Sequence, residues 1–314
     1  MKVLILGAKG MLGQELVRVY SEDPGYETMG WDREDIYPAP IVCGSENGVP
    51  KNLVTKSEED NRCRVDITDF TLAEKKVREY VPDIIINAVA YNAVDQCEEN
   101  IEEYAKAMML NAEVPKFLAE LSKEINATLF HYSSDYVFDG TNEEGYVEDA
   151  EPNPISKYGE SKLAGEKAVA ECAEKYYIIR LSKLFGKPAA SLVGKKSFFE
   201  KMLEVSEGKK EITAVDDERS CFTYAPDLAL ATKVMIQHGV PYGIYHLVNE
   251  NPATWYEAAK ELFRIARKDI IVKPVSSDAF PRPAKRPHCS TLRNTKFIPF
   301  RPYTEALEEF LKEK

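Results

Sequence analysis

The sequence is poor in the residues that most often carry metal or nucleophilic chemistry. Among 314 residues there are four histidines (His131, His238, His246, His288), two tryptophans and six cysteines. The cysteines stand at 43, 63, 97, 172, 221 and 289, with long, uneven gaps and no C-x-x-C pair. Buried thiols in a reducing cytoplasm are therefore expected, not disulfides or a metal site. No histidine is spaced to serve a serine as general base, which argues against a Ser-His hydrolase. Long apolar runs are missing too. The N-terminal KVLIL (2–6) is short and ends in a glycine loop, so neither a secretory leader nor a membrane span is expected. Positive charge is in deficit, with 41 Lys and Arg against 52 Asp and Glu and a net charge of −11. That balance argues against nucleic acid as a partner. The deficit is uneven: residues 267–301 hold nine Arg or Lys against two Asp. Such a segment in an acidic chain either serves a small anionic ligand at a cleft or is a solvated basic face.

What is present is a rhythm of short apolar strands and amphipathic helices. Lys2–Leu6, Tyr26–Trp31, Asp83–Asn87, Ala127–Tyr132 and Tyr176–Leu181 read as strands. Met11–Tyr20 and Ile101–Lys123 have helical spacing, the second as one long amphipathic helix. Alternation of this kind predicts an α/β fold with a Rossmann-type doubly wound parallel sheet. Residues 34–64 break the rhythm with prolines, glycines and charges and read as an inserted loop. The expected division is a dinucleotide-binding domain over 1–181 and about 212–248. A smaller α/β C-terminal substrate domain takes about 182–211 and 249–314.

Gly7, Gly10 and Gly13 form G-x-x-G-x-x-G directly after the first strand and open the first helix. Absent side chains let a pyrophosphate approach the backbone, and the helix N-terminus supplies N–H donors, so a dinucleotide is expected there. The second strand ends in Asp32-Arg33. An acid at this place accepts bonds from an adenosine ribose, which suits NAD, whereas the arginine suits the 2′-phosphate of NADP. The Val65–Asp69 stretch, with Asp66 and Ile67, either flanks the adenine or merely caps the next helix.

Tyr158 and Lys162 share a helical face at i, i+4 in YGESKLAGEK. By spacing alone this is an ordinary surface pair. Upstream, however, HYSSDYVFDG (131–140) carries a strand into hydroxyls, where ligands of doubly wound sheets sit. Ser134 and Tyr158 then converge on one substrate oxygen, with a lysine to favour the phenolate. Beside a nicotinamide, that is a hydride-transfer site.

These motifs resemble the extended short-chain dehydrogenase/reductases, and more closely the dTDP-4-dehydrorhamnose reductase family. The matching stretches are INAVAYNAVDQCE (86–98), HYSSDYVFDG, PNPISKYGESKLAGEKAV (152–169), GIYHLVNENPATWYEAA (243–259) and AKRPHCSTL (284–292). The resemblance implies NADPH or NADH as cofactor and a nucleotide sugar as substrate. It implies that Tyr158 protonates the C4 oxygen of the sugar. Lys162 would hold the nicotinamide ribose and lower the tyrosine pKa, and Ser134 would supply the family's usual threonine hydroxyl. Coenzyme contacts fall on Gly7, Gly10, Met11, Leu12, Gly13, Asp32, Arg33, Asp66, Ile67, Ala88, Ala90 and Tyr91. The substrate side takes Ser134, Asp135, Lys183, Arg219 and Arg286, with segment 282–293 toward the diphosphate. No metal, a cytoplasmic location and a homodimer are the remaining expectations. Two stretches depart from the family. Arg180-Leu181-Ser182-Lys183 puts Lys183 where these reductases carry tryptophan, and 217–223 (DERSCFT) replaces D-Q-x-G-x-P-T. Both lie on the substrate side. The same fold also resembles the regulatory subunit of methionine adenosyltransferase, through SSDYVFDGTN (133–142), and other nucleotide-sugar epimerases and dehydratases.

Overall fold

The computed structural model describes residues 1–33, 63–190 and 195–313. Except for its last two residues, the expected inserted loop lies outside them. Six strands form one parallel sheet: β1 (Lys2–Leu6), β2 (Glu27–Trp31), β3 (Ile84–Asn87), β4 (Thr128–Ser134), β5 (Tyr176–Leu181) and β10 (Gly243–His246). Their order is β2-β1-β3-β4-β5-β10, so the winding reverses between β1 and β3. The strands are apolar without alternation because both faces are covered. Val3, Ile5, Ile84 and Ile86 pack against Leu12 and Leu16 of α1 (Met11–Ser21) and Leu228 and Met235 of α8 (Ala225–His238). Leu4, Leu6 and Ile85 face the other way. They meet Ala73 and Val77 of α2 (Phe70–Tyr80), Leu118 of α5 (Val114–Glu124) and Val169 of α6 (Lys157–Cys172). The expected doubly wound α/β sheet is borne out. No helix among the described residues is long and apolar enough to cross a membrane.

Two sequence expectations change. The single helix over 101–123 is instead α4 (Ile101–Met108), a π-helical turn at Met109–Glu113, and then α5. Pro115 explains the break, because it has no N–H for the carbonyl four residues back, that of Asn111. The division of the chain also shifts. β7 (Glu211–Val215) pairs with β12 (Ile271–Val275), not with the main sheet. Ile212 and Ala214 join the second core with Phe199 of α7 (Phe198–Val205), Leu262 of α9 (Trp255–Ile265) and Leu307 of α10 (Tyr303–Lys312). The chain returns to the main body with α8, later than the expected boundary near 212. The cause is that β7 finds its hydrogen-bonding partner in β12.

His246, at the end of β10, is fully buried. Its ring lies 3.4 Å from the Arg180 guanidinium, and its Nδ1 lies 3.1 Å from the Tyr146 carbonyl. Burial, then the Arg180 charge, push its pKa down to about 4 against the opposing pull of Glu148. The unfolded chain takes up that proton near pH 6.5 and the folded chain does not, so stability rises with pH between about 4 and 6.5. The full span is worth on the order of 3 kcal/mol. Thermal melts should show the midpoint falling as pH drops from 7 to 5, and His246→Gln should flatten that dependence. Equal slopes for the two proteins would remove His246 as the source.

Candidate active site

The reversal point of the sheet holds the glycine loop. Gly7 has a φ of +76°, and a Cβ on Gly13 would collide with the Gly7 carbonyl oxygen, so both positions require glycine. Gly10 precedes α1 without a side-chain cap, and the first turn, which includes Met11 and Leu12, has no acidic residue. The N–H groups of that turn are thus left for an anion. Asp32 closes β2 beside the loop, its Oδ2 accepting from Lys9 N at 3.1 Å. Arg33 follows it, exposed. The 65–69 stretch resolves into two roles. Asp69 caps α2 by accepting from Leu72 N, whereas Asp66 is exposed and forms a turn with Thr68. Ile67 packs its side chain into the core, leaving only its backbone for a coenzyme. Ala88, Ala90 and Tyr91 follow β3 at the same edge, half-buried, with Ala88 N bonded to Leu6 O. These residues form a fitting cradle for a dinucleotide.

The catalytic stretch begins with Ser156, which caps α6 by accepting from Gly159 N. Two glycines let α6 press onto neighbouring backbone. A Cβ on Gly159 would collide with Tyr136 O, and one on Gly165 with Asn111 O. Tyr158, Lys162 and Glu166 recur every four residues along the helix, and all three are buried. Strand β4 runs two residues past the expected Tyr132, so Ser134 sits at its very end. Lys162 Nζ donates to the Tyr132 carbonyl at 2.6 Å, and Tyr158 Oη donates to Asn92 Oδ1 at 3.3 Å. Ser134 Oγ donates to Asp135 Oδ1 at 3.1 Å.

The surroundings of Tyr158 act on its phenol in both directions. Burial raises its phenol well above the ordinary value, the Ser134 hydroxyl opposes the rise, and the Asp135 charge adds to it. Lys162 lies one turn further along the same helical face. Its ammonium is engaged by the Tyr132 carbonyl and is itself pushed down to about 8 by burial, with Glu166 holding it up.

Asp135 is buried and gathers three hydroxyls: Ser134, Ser182 at 2.7 Å and Ser290 at 2.6 Å, the last two on its Oδ2. Burial raises its pKa and these bonds oppose the rise. Ser290 belongs to the RPHCSTL stretch, so this carboxylate fastens the C-terminal segment to the end of β4. Lys183 lies alongside, its ammonium 3.8 Å from the Trp255 ring centroid. Arg286 and Arg219 are differently placed than expected. Arg286 makes a two-pronged pair with Asp95, both bonds 2.7 Å, and Arg219 binds Glu257 and the Pro252 carbonyl. Arg282 pairs with Glu218, Lys296 with Asp149 and Arg301 with Asp227. Much of the basic segment therefore answers acidic residues elsewhere in the chain, and is not a free anion patch.

Several contributors escape a reading by motif. Asn111, buried in the π turn, accepts from Tyr91 N and donates to Tyr91 O and to Ser161 Oγ, tying the coenzyme side to α6. A lone asparagine in an amphipathic helix, four residues before a proline, was its only sequence signal. Asn92 had none. Glu166 was visible as the continuation of the Tyr158–Lys162 spacing.

The comparisons agree with this geometry. The chain is 34% identical over 316 residues to a probable dTDP-4,6-dihydroxy-2-methyloxan-3-one 4-ketoreductase of Streptomyces antibioticus, covering 98% of this chain and 94% of that protein. It is 37% identical over 243 residues to the dTDP-4-dehydrorhamnose reductase of Escherichia coli, covering 73% and 78%. The crystal structure of a Bacillus anthracis dTDP-4-dehydrorhamnose reductase in complex with NADP superposes with a TM-score of 0.83 at 32% identity, covering 100% of this chain and 99% of that one. The family model described as the RmlD substrate binding domain matches residues 1–314, and the chain belongs to that family.

Proposed function

We propose that this chain is an NAD(P)H-dependent oxidoreductase that reduces the 4-keto group of a nucleotide-linked 6-deoxy sugar. The favoured substrate is dTDP-4-dehydro-L-rhamnose, which would give dTDP-L-rhamnose. The observation that carries this reading is the convergence of Tyr158, Lys162, Ser134 and Asp135 at the strand ends, next to the uncapped glycine loop. When bound there, the nicotinamide supplies the hydride. The chain supplies the proton and the orientation. Burial keeps the Tyr158 phenol protonated at neutral pH, which is the state a proton donor needs. The proton passes from Tyr158 Oη to the C4 oxygen as negative charge develops on it. The Lys162 ammonium, one turn along the same face and kept charged by Glu166, favours the phenolate that remains. Ser134, whose single O–H is donated to Asp135 before substrate binds, would turn that O–H to the carbonyl oxygen to orient it. Asp32 and Arg33 would hold the adenosine ribose, and the N–H groups of the first turn of α1 would hold the pyrophosphate.

Incubation of the purified protein with NADPH or NADH and dTDP-linked 4-keto sugars, following nicotinamide absorbance, tests the reading directly. If no such sugar is reduced, the regulatory-subunit resemblance takes precedence. Tyr158→Phe should fold, bind coenzyme and lose roughly 10²–10⁴ of kcat, the usual cost of removing an acid–base group. Near-full turnover would mean that the proton comes from elsewhere. Lys162→Met should lose both activity and coenzyme affinity, whereas Ser134→Thr should be tolerated and Ser134→Ala should not. For the coenzyme end, Arg33→Ala should weaken NADPH more than NADH in a direct binding titration. An unchanged ratio of the two affinities would give Arg33 no part in selection.

A further inference from the structure

Lys183 stands two residues beyond the end of β5, at the same sheet edge as Ser134, which is paired with Leu181. Its backbone φ of +36° lies in the left-handed region, uncommon for a residue with a side chain. Its ammonium is buried and has no hydrogen-bond partner among the described residues. It rests between the Trp255 ring at 3.8 Å and the Phe222 ring at 5.2 Å. The two nearby carboxylates favour its charge but are taken by other donors. Asp135 accepts from Ser134, Ser182 and Ser290, and Glu218 from Arg282 and the Trp255 indole. An ammonium has three N–H donors, and leaving them unfilled away from water is costly. The burial lowers its pKa to about 8. A strained backbone and an unfilled cation held by aromatic walls are features of a ligand contact rather than of packing.

We propose that Lys183 is a specificity-determining residue of the sugar pocket, its ammonium donating to an oxygen on the sugar ring close to the reacting carbon. The proposal rests on the reductase reading. The ring is favoured over the diphosphate because Lys183 follows Ser182, which donates to Asp135, and Leu181, the strand partner of Ser134. A diphosphate oxygen would present the same acceptor chemistry, and the experiment separates the two sources.

Calorimetric titration of the wild type and Lys183→Met with dTDP-L-rhamnose, with dTDP and with NADPH makes the test. Losing a charged hydrogen bond in a buried site should weaken dTDP-L-rhamnose about 10- to 100-fold. Affinities for dTDP and NADPH should stay as in the wild type. The melting temperature should not fall, because methionine keeps the length of the side chain and removes an unfilled buried charge. In turnover, KM for the keto sugar should rise more than kcat falls. Equal weakening of dTDP and dTDP-L-rhamnose would move the ammonium to the diphosphate and overturn the proposal, as would unchanged affinity for both. Wild-type turnover of the 4-keto sugar separately decides the reductase reading, since these binding comparisons do not depend on it.

Discussion

The site depends on one buried ion pair, Arg180 with Glu166. Arg180 Nε and Nη2 bond to the two Glu166 oxygens at 2.9 and 2.7 Å, and both residues are buried. A charge buried without its partner is strongly destabilising, typically by about 3–5 kcal/mol, so β5 and α6 are held in a single relation. Glu166 shares its helical face with Lys162 and Tyr158. Whatever sets Glu166 against the sheet therefore sets Tyr158 and Lys162. Arg180 extends the hold by donating to the Glu148 carbonyl and lying 5.0 Å from the Phe138 ring. The loop leaving β4 is thus fixed by the same guanidinium.

A second set of polar contacts joins distant parts of the chain around the substrate side. Asp135 collects hydroxyls from residues 182 and 290, and Arg286 reaches Asp95 on the other half of the chain. The hydrogen bonds from Arg286 are the main cause holding Asp95 below its ordinary pKa, and its charge adds to them. These pairs explain how an acidic protein can carry a basic C-terminal stretch without a free positive patch. Lys183 has no hydrogen-bond partner among the described residues, and the carboxylates near it are already committed.

The π turn at 109–113 is the remaining device. It frees the Asn111 side chain to grip Tyr91 and Ser161 at once, while Gly165 lets α6 approach the Asn111 carbonyl. A helix without the Pro115 break would keep that asparagine in the regular i, i+4 ladder. The segment after β3 and helix α6 meet there through hydrogen bonds of the Asn111 side-chain amide.

By itself, the sequence determined the doubly wound sheet, the glycine loop and the Tyr158–Lys162 pair. Each of these is a local signal: a strand's apolar run, glycines at a strand–helix turn, a four-residue spacing on one helix. The end of β4 was legible only to within two residues, because Ser133 and Ser134 are polar and strand pairing with Arg180 and Leu181, not hydropathy, extends it. Only the tertiary structure decided which charges are paired, since Asp95 and Arg286 are 191 residues apart and nothing local announces their meeting. It likewise decided what surrounds Tyr158. Spacing names the neighbours of a phenol, but how far it is buried, and which acceptor already holds the lysine, are properties of the packed chain.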